Sequence, residues 1–374
     1  MGANPYSYGH CLEELDTVLE PYRDTDDSFP FMGGAVGYVT YELKSHFALY
    51  LEVIVIDKKT QEKWAISHSK TVFNGLNFES LIDSQKNDNL RESFHCQEPQ
   101  SNFSKEAYIK AIKKAKNLIY EGDLYQLNLS HRFSAAYHGE LRVLYEQLRM
   151  HSQAPYSAYL DAGNTQILSA SPELFIHIQG QTLTTRPIKG TTKRGVTSLD
   201  DSVLRNTLLH SEKNRSELIM IVDLERNDLG RICLPGSIQV SRLIELESYA
   251  QVTHLVSTIT GELSPGISHA RALRALFPGG SITGAPKTRA MQRISEIETV
   301  PREVYTGCIG YIGFNQHTQF NIAIRTLYAR EGILYFHCGG GIVADSDPEE
   351  EWEETLLKAK GIQESLVRAA QPVI

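Results

Sequence analysis

Lys189 is the side chain of this sequence that is best placed to take part in a reaction. The reason is its neighbours in the segment Pro187-Ile188-Lys189-Gly190-Thr191. The proline restricts the backbone before the lysine, and the glycine lets another group come close after it. A lysine held in this way and shielded from bulk water can lose its proton and act as a nucleophile. Taken alone, however, so short a match is more often a surface lysine in a turn. The rest of the chain has to decide.

Three glutamates on two predicted helices form a candidate metal site. Glu217 lies on a predicted helix over residues 200–226. Glu351 and Glu354 lie three residues apart near the start of the last helix, so they share a face, and Lys358 is one turn further on. Carboxylates from two helices, with water completing the coordination, suit Mg²⁺. The alternative is that these glutamates form a solvated helix start that complements the helix dipole.

Two glycine-rich segments suit the binding of anions. Gly279–Pro286 leads into a helix, where free backbone amides and the helix dipole favour negative charge. Cys338–Gly341 follows a predicted strand, and its three glycines let backbone amides converge on a carboxylate. Each segment alone is equally compatible with a tight turn. Together with Arg325, which we place on a strand over Phe320–Leu327, they favour a substrate with two negative charges.

Glu173, His254 and Tyr311 are further candidates. Glu173 follows a proline and enters an apolar strand, where burial can raise its pKa and make it a general acid. The alternative is a carboxylate at a strand edge. His254 lies in an apolar stretch, and a lone histidine in such a place is usually a core residue with its hydrogen bonds satisfied. Tyr311 follows Gly310 and gives no separate signal.

Hairpins and intervening helices must position these residues. Ser104 is expected to cap a helix that ends near Glu121, and the following residues, Leu124 to Phe133, are expected to form a strand. Strands linked by short turns, with helices between groups of them, predict an α+β protein with large antiparallel sheets. The predicted hairpins span residues 53–68, 156–168, 174–185 and 327–336, and further helices span about 200–226, 268–276, 286–298 and 348–369.

Composition narrows the class of protein. The chain has 374 residues, is 41% hydrophobic and carries a formal net charge of -8, so nucleic acid and anionic membrane are poor partners. It contains five widely scattered cysteines, which favours reduced thiols over disulfides or a zinc site. We see no signal-peptide core and no run near the roughly 18 apolar residues that a membrane helix needs. We therefore expect a cytoplasmic protein.

These motifs together resemble the chorismate-utilising enzymes over about residues 104–369. The resemblance implies an α+β fold in which two antiparallel β-sheets stack, with helices outside. Residues 1–100 would be the N-terminal part of this fold and residues 101–374 the chorismate-binding catalytic region, best treated as one large domain. The matching segments are 171–173, 186–191, 221–228, 254–257, 277–287, 307–311, 324–326 and 339–346, together with Glu354.

Two positions favour one branch of the family, the aminodeoxychorismate synthases. Anthranilate synthases resemble this chain but normally have alanine in place of Lys189. Isochorismate and salicylate synthases normally have a water-activating lysine where this chain has Gln126. The nucleophilic lysine is therefore present and the water-activating lysine is absent, which favours amination of chorismate at C4.

The resemblance also implies a role for each candidate residue. Lys189 would attack C2 of chorismate while Glu173 protonates the departing C4 hydroxyl. Mg²⁺ would hold the ring carboxylate on Glu217 and Glu354, with Glu351 behind them. The remaining substrate-binding residues would be Arg325, Tyr311, Gly340 and Gly341 for the enolpyruvyl carboxylate, Lys358 beside the carboxylates, Thr283 at the ring, and Gly190, Thr191 and His254 around the lysine.

The ammonia for this reaction is expected from a separate glutamine amidotransferase subunit, because none of the five cysteines has the setting of a glutaminase nucleophile. The product would serve 4-aminobenzoate and folate biosynthesis. Two alternatives stay open: anthranilate synthase component I, and a non-catalytic ligand-binding subunit that regulates a glutaminase. The second gains weight from Asn214, where relatives often carry an acid, and from a start several tens of residues shorter than in typical relatives. Tryptophan binding also stays open.

Overall fold

Helices surround a β-rich core in the computed structural model, which describes residues 8–9, 12, 14–26, 28–68 and 93–371. Within these ranges, no helix is long and apolar enough to cross a membrane. Short 3-10 turns lie at Glu20–Tyr22 and at Gly280–Ile282. The α-helices of the described residues are α1 (Glu14–Leu19), α2 (Lys105–Tyr120), α3 (Leu141–Ser152), α4 (Ser198–Leu209), α5 (Glu212–Leu229), α6 (His269–Leu276), α7 (Lys287–Ile297) and α8 (Pro348–Ala369).

The strands of the described residues form two large antiparallel sheets and one separate hairpin. In chain order they are β1 (Tyr8–Gly9), β2 (Gly34–Val39), β3 (Ser45–Tyr50), β4 (Glu52–Ile56), β5 (Lys63–Ser67), β6 (Phe94–Cys96), β7 (Gln100–Ser101), β8 (Gln126–Gly139), β9 (Tyr156–Asp161), β10 (Gln166–Ser171), β11 (Leu174–Gln179), β12 (Thr182–Arg186), β13 (Ile188–Lys193), β14 (Gln239–Ser248), β15 (Val252–Glu262), β16 (Gly284–Ala285), β17 (Cys308–Gly313), β18 (His317–Ile322), β19 (Thr326–Arg330) and β20 (Ile333–Ile342).

The first sheet has the order β1-β3-β2-β17-β18-β11-β12-β15-β13, with β14 also paired to β15. The second sheet has the order β16-β8-β20-β19-β10-β9, with β6 and β7 also paired to β8. Strands β4 and β5 form the separate hairpin. Since β2 and β3 pair beside β17, strands from before and after residue 100 share one sheet. The proposed division at residue 100 stays a prediction.

The two sheets stack through a shared apolar layer. Tyr38 and Ile309 from the first sheet pack with Ile167 and Tyr328 from the second sheet. Removing these large apolar side chains from water is the main force that holds the two layers together. The predicted α+β class with two stacked antiparallel sheets is therefore confirmed.

Helices cover the outer faces of both sheets, as expected. Apolar residues of α1, α5 and α6 pack on the first sheet. Helices α3 and α8 pack on the second sheet, and α2 and α7 pack with α8 around β8 and the end of β20. This arrangement places α5 against the first sheet and α8 against the second, so the glutamates predicted to bind metal come from opposite layers.

Most of the predicted elements are confirmed, with local differences in the helices. Ser104 caps α2, since its hydroxyl accepts a hydrogen bond from the Ala107 amide at 3.2 Å. The predicted helix over residues 200–226 is in fact two helices, α4 and α5, and Ser211 caps the second. Pro286 precedes α7 as its N-cap and does not lie inside its first turn. The described residues that precede α2, from residue 93 onward, carry the short strands β6 and β7.

Two expectations about the site segments are wrong. Arg325 does not lie on a strand: it lies between β18 and β19 with a φ of 50°. Cys338–Gly341 does not follow a strand but belongs to β20, where it pairs with residues 128–131 of β8. A strand in a ladder has an extended backbone, so the three glycines do not form the converging nest of amides that the sequence suggested.

Candidate active site

A β-bulge presents Lys189. Strand β13 pairs with β15, and the register shifts between Lys189 and Thr191. Gly190 takes up this irregularity with a φ of 74°. A Cβ at Gly190 would lie 2.8 Å from Cγ of Asn214 and 2.9 Å from Cδ1 of Leu208. Glycine is therefore required both by the backbone angle and by the close packing of α4 and α5 against the bulge.

The Lys189 ammonium lies in an environment that disfavours its charge. Its Nζ donates a hydrogen bond to the carbonyl of Ser281 at 3.1 Å. Burial lowers the pKa of Lys189, and the negative charges of Glu217 and Glu173 only partly oppose this effect. Because burial dominates, a larger fraction of Lys189 is the neutral, nucleophilic amine than in a lysine exposed to water.

Glu173 is buried close to this lysine, and its pKa shifts in the opposite direction. Its Oε1 accepts a hydrogen bond of 2.6 Å from the Ser281 hydroxyl. Burial raises the pKa of Glu173, while the Ser281 hydrogen bond and the positive charge of Lys189 partly oppose the increase. Glu173 is therefore suited to hold a proton and to donate it.

Ser281 joins the two groups, and sequence reasoning did not single it out. It follows Gly280 in the glycine-rich segment before α7, and its carbonyl and hydroxyl contact Lys189 and Glu173 respectively. The contacts span 92 and 108 residues of sequence, so no local pattern could have identified them. The amide of Gly280 donates to Oε1 of buried Glu225 at 3.0 Å. This amide is consequently not free for the anion that the sequence predicted there.

Glu351 and Glu354 lie together beside β20. A Cβ at Gly340 would lie 3.1 Å from Oε2 of Glu351 and 4.0 Å from Oε1 of Glu354. Glu351 is buried and accepts a hydrogen bond from the Ser346 hydroxyl at 2.7 Å. Glu354 is about half exposed and pairs with Nζ of Lys358 at 2.7 Å. The absence of a side chain at Gly340 leaves room in front of both carboxylates.

The pKa values of Glu351 and Glu354 shift in opposite directions. Burial raises the pKa of Glu351, and the neighbouring Glu354 raises it further. For Glu354, burial acts in the same direction, but the charge and hydrogen bond of Lys358, together with the charges of Lys213 and Lys189, outweigh burial and lower the pKa. Lys358 also donates a hydrogen bond to the Gly339 carbonyl at 2.9 Å. This lysine therefore anchors the end of β20 to α8.

Glu217 faces the same region from α5. Lys213, one turn before it, lies 3.9 Å from Oε1 of Glu351, so α5 and α8 meet at this place. Both Glu217 and Glu354 act on the charge of Lys189. Within the described ranges, no three potential ligands are already assembled around one point. The donors are nevertheless all carboxylate oxygens, and Mg²⁺ is commonly held by one or two carboxylates with water and substrate, so the donor set fits Mg²⁺.

Arg325 supplies a largely buried positive charge. Its guanidinium makes no hydrogen bond or ion pair to any residue that the structure describes, and burial lowers its pKa. Burial, together with the charge of Arg325, also lowers the pKa of His254 to about 4, so this histidine is neutral. A buried cation without a partner is costly in a folded protein and is typical of a site that receives an anion.

His254 is held in the core of the first sheet. Only 2% of it is exposed, and its Nδ1 shares a hydrogen bond of 2.8 Å with the Thr191 hydroxyl. This bond crosses from β15 to β13 just beyond the bulge at Gly190. The contact indicates a role in holding the strand of Lys189, which agrees with the interpretation of His254 as a satisfied core residue.

Tyr311 and Thr283 are less clearly connected to the lysine. Tyr311 packs against Phe31 with ring centroids 4.7 Å apart, and burial raises its pKa to about 12. Among the described residues, no hydrogen bond or ring contact joins Tyr311 to Arg325. Thr283 is fully buried, and its hydroxyl donates to the Gly279 carbonyl at 3.0 Å. Their predicted contacts with a substrate stay predictions.

Gln126 and Gly341 face each other at the end of the second sheet. A Cβ at Gly341 would collide with the Gln126 side-chain amide. Gln126 is fully buried, and neither its side-chain nitrogen nor its side-chain oxygen has a hydrogen-bond partner among the described residues. A neutral amide thus occupies the position where isochorismate synthases are expected to have a water-activating lysine.

Comparison with known proteins assigns the family. Residues 8–364 match the chorismate binding enzyme family. The chain belongs to this family. The resemblance inferred from the motifs is thereby confirmed, and it extends well beyond residues 104–369. The protein is an enzyme of the chorismate-utilising class.

Individual members of the chorismate binding enzyme family carry two different names. The chain is 37% identical over 377 residues to aminodeoxychorismate synthase component 1 of Bacillus subtilis (strain 168), covering 92% of this chain and 79% of the relative. It is 38% identical over 388 residues to anthranilate synthase component 1 of Aquifex aeolicus (strain VF5), covering 95% and 78%. Overall identity therefore leaves the particular activity to the residues of the site.

A solved structure from the same family supports the fold. The crystal structure of anthranilate synthase component I from Streptococcus pneumoniae TIGR4 superposes with a TM-score of 0.80 and 31% sequence identity. The match covers 97% of this chain and 91% of that chain. The architecture described above is therefore that of the chorismate binding enzyme family.

Proposed function

We propose that this chain is component I of an aminodeoxychorismate synthase, which converts chorismate and ammonia to 4-amino-4-deoxychorismate. The observation that carries the proposal is the contact of both Lys189 and Glu173 with Ser281. This contact brings an amine with a lowered pKa next to a carboxyl group with a raised pKa. Such a pair suits nucleophilic attack combined with proton donation.

Chorismate carries two carboxylates, and the site offers two places for negative charge. The unpaired guanidinium of Arg325 is suited to the enolpyruvyl carboxylate, and Tyr311 and the end of β20 would complete the binding of this group. The space in front of Gly340, bordered by Lys358, is suited to the ring carboxylate together with a metal ion. Bound in this way, the ring would lie between α8 and the bulge that presents Lys189.

Mg²⁺ would be held by Glu217 and Glu354, with Glu351 adjacent. When bound, the ion supplies charge neutralisation for the ring carboxylate and helps to orient the ring. The lysines that border these carboxylates, Lys213 and Lys358, already balance part of their charge in the protein alone.

The covalent chemistry depends on Lys189 and Glu173. The neutral amine of Lys189 attacks C2, both conjugated double bonds of the ring shift by one position, and the C4–oxygen bond breaks as Glu173 donates a proton so that water leaves. Ammonia then attacks C4, both double bonds shift back, and the C2–nitrogen bond breaks to release the neutral amine of Lys189. The new amino group gives its extra proton to Glu173, which restores the acid. Two successive displacements replace the hydroxyl by an amine with retained configuration, and they divide one difficult substitution into two easier steps.

Ammonia would come from a separate glutamine amidotransferase subunit. Burial raises the pKa of each of the four cysteines that the structure describes, Cys96, Cys233, Cys308 and Cys338. A thiol with a raised pKa is a poor nucleophile. These cysteines are therefore unsuited to hydrolyse glutamine, which supports a partner for that step.

A product assay tests this proposal. The purified chain is incubated with chorismate, ammonium and Mg²⁺, with and without an added 4-amino-4-deoxychorismate lyase, and the products are separated by chromatography. Without the lyase we expect 4-amino-4-deoxychorismate, and with the lyase we expect 4-aminobenzoate. Fluorescent anthranilate as the product would refute the proposal.

Anthranilate synthase component I is the second candidate, because the Aquifex aeolicus relative with that name is as similar to this chain as the aminodeoxychorismate synthases. Lys189 argues against it, since the resemblance implies alanine at this position in anthranilate synthases. A non-catalytic regulatory subunit is the third candidate. Turnover with ammonium in the absence of any partner would exclude it.

A further inference from the structure

We propose that Ser281 is a positioning residue for this reaction: its hydroxyl fixes which oxygen of Glu173 carries the transferred proton, and its carbonyl orients the amine of Lys189. The inference rests on the proposed function, because it assigns a further role within the same site. It concerns a residue that touches both reacting groups of the protein and none of the predicted metal ligands.

The hydroxyl of Ser281 distinguishes the two oxygens of Glu173. It donates to Oε1 at 2.6 Å, a short distance for a hydrogen bond between two oxygens. An oxygen that accepts so close a hydrogen bond is a poor place for an acidic proton, so the proton of Glu173 is placed on Oε2. Ser281 therefore selects the oxygen from which the departing hydroxyl is protonated.

The carbonyl of Ser281 acts on Lys189. A carbonyl only accepts hydrogen bonds, so it engages one N–H of the amine in either protonation state and does not require a charge. The contact is 3.1 Å long and fixes the direction of Nζ at the end of a long, flexible side chain. Holding the amine in one orientation reduces the entropy that the attack on C2 would otherwise cost.

Charged side chains hold Ser281 from both sides of its segment. Before it, the amide of Gly280 donates to the buried carboxyl of Glu225 at 3.0 Å. After it, the carbonyl of Ile282 accepts from the buried guanidinium of Arg302 at 2.9 Å. Hydrogen bonds to charged groups in a buried setting are stronger than neutral ones. The backbone around Ser281 is therefore fixed independently of Glu173 and Lys189.

Two further contacts complete this support. The ammonium of Lys287 donates to the carbonyl of Pro278 at 2.7 Å. The hydroxyl of Thr283 donates to the carbonyl of Gly279 at 3.0 Å and lies within the same segment. A serine in a mobile turn could change its partner, whereas this one is only 5% exposed and its backbone is held at four points.

The groups that act on Glu173 can be named from each neighbouring element. Burial raises the pKa of Glu173, and the Ser281 hydroxyl, the positive charge of Lys189 and the backbone amide of Ile188 lower it. Glu225, behind the Ser281 segment, is itself affected by Glu173, and burial raises its pKa to about 7. Removing the Ser281 hydroxyl takes away the largest of the lowering effects, so the pKa of Glu173 must rise further.

The test compares Ser281→Ala with the wild type in kcat and kcat/KM for chorismate across pH, at a constant concentration of free ammonia. We expect kcat to fall about tenfold, as the loss of an aligned proton donor implies. One limb of the pH profile, set by Glu173, is expected to move up by about one unit, while KM for chorismate changes less than about threefold. An unchanged limb together with an unchanged kcat would overturn the proposal.

Thr283→Val is the matched control, because it removes a hydroxyl from the same segment that contacts only backbone carbonyls. It can slow the reaction, but the limb set by Glu173 is expected to stay in place. Equal movement of this limb in both variants would mean that loss of segment structure explains the effect, and would overturn the role of Ser281. If Ser281→Ala fails to fold in a thermal unfolding assay, the nearly isosteric Ser281→Cys replaces it, with the same expected direction.

A measurement without turnover separates this inference from the proposed function. In protein labelled with carboxyl-¹³C glutamate, the signal lost in Glu173→Gln identifies Glu173, and its pH titration gives the pKa directly. We expect a higher pKa in Ser281→Ala than in the wild type, whatever product the enzyme makes. Equal values would refute the role of Ser281, whereas an unexpected wild-type product would refute only the proposed function.

Discussion

Lys189 and Glu173 together determine the chemistry of the site at the scale of single residues. Burial lowers the pKa of the lysine and raises that of the glutamate. As an ion pair they would be two charges removed from water, whereas the transfer of one proton makes both neutral. Because desolvation penalises charges more than neutral groups, the site favours the amine and the carboxylic acid, which are the forms that the proposed reaction needs.

The rate is expected to depend on pH as a bell-shaped curve. At low pH Lys189 is protonated and cannot attack, and at high pH Glu173 is ionised and cannot donate. Since burial lowers the lysine from its ordinary pKa of 10.5 and raises the glutamate from 4.5, both limbs are expected between these values. Lys189 and Glu173 interact, so the position of each limb also depends on the charge of the other group. The check is kcat/KM against pH at constant free ammonia. A rate that still rises at pH 10.5 would contradict the prediction.

Glu354→Gln tests whether this single side chain is a ligand of the proposed Mg²⁺ ion. The change removes a negative oxygen from the pair of carboxylates in front of Gly340, so the apparent affinity for Mg²⁺ should fall at least about tenfold. Titration of activity with Mg²⁺, and calorimetry of Mg²⁺ binding, measure the effect. Glu353→Gln, which changes an exposed neighbour, is the control. Identical titrations for Glu354→Gln and the wild type would remove Glu354 from the metal site.

Among the secondary-structure elements, the bulge in β13 determines where Lys189 points. It allows one strand to present Lys189 towards Ser281 while the following residue, Thr191, returns to the ladder beside His254. Gly190 makes this possible through its positive φ and through the absence of a Cβ that would meet α4 and α5. The strand and the two helices consequently fix the position of the amine together.

Gly190→Ala is expected to disturb this arrangement. The new methyl would meet Asn214 and Leu208 within 3.0 Å, so the bulge must shift, and kcat should fall at least about tenfold with a stability loss of about 1–3 kcal/mol. Gly163→Ala is the control, since Gly163 also has a positive φ of 80° but nothing within 4 Å of the new methyl. We expect the control to lose about 1 kcal/mol of stability and to retain its activity. Normal kcat in Gly190→Ala would contradict the account.

The hairpins could be predicted from the sequence because their signals are local. Gly163, Gly180 and Gly332 mark turns between runs of alternating apolar residues, and each has a positive φ in the structure. The break between α4 and α5 was missed, because the helical composition continues through it. Gly339–Gly341 was interpreted as a loop, because glycine is typical of turns. In the structure, close approach of Glu351 to Gly340 and of Gln126 to Gly341 explains two of these glycines, and the backbone of β8 lies close to Gly339.

At the scale of the whole molecule, the reacting residues come from both layers of the fold. Lys189 and Glu173 belong to the first sheet or its edge, while Glu351 and Glu354 lie on a helix that covers the second. The segment with Ser281 contacts Lys189 and Glu173 and continues into β16 of the second sheet. The sequence identified most of these residues by type and motif, but the role of Ser281 could not be predicted, since its contacts join residues 92 and 108 positions apart and leave no local signal.

Arg302 is one of the residues that hold the layers in register. It is 1% exposed and pairs with the buried carboxylate of Glu298 at 2.7 Å. It also donates hydrogen bonds to the carbonyls of Ile282 and Asn128 at 2.9 and 2.8 Å. A single guanidinium thus connects the segment next to Ser281 with β8 of the second sheet.

Arg302→Met is therefore expected to destabilise the protein by about 3–5 kcal/mol, because it leaves Glu298 buried without its counter-charge. Urea unfolding, followed by circular dichroism, measures the change. Lys105→Met is the control: it removes an exposed ion pair with Glu349, which solvent screens, so the loss of stability should be much smaller. Equal losses in the two variants would show that the buried pair is not a structural anchor.

The proposed function requires a covalent bond between Lys189 and the substrate ring, and mass spectrometry can detect that bond. The enzyme is mixed with chorismate and Mg²⁺ without ammonia, quenched, and compared with Lys189→Ala treated in the same way. We predict an adduct on the wild type with the mass of chorismate less one water, located at residue 189 by peptide sequencing, and none on the variant. An adduct at another residue, or a Lys189→Ala enzyme that still forms 4-amino-4-deoxychorismate at the wild-type rate, would contradict the account.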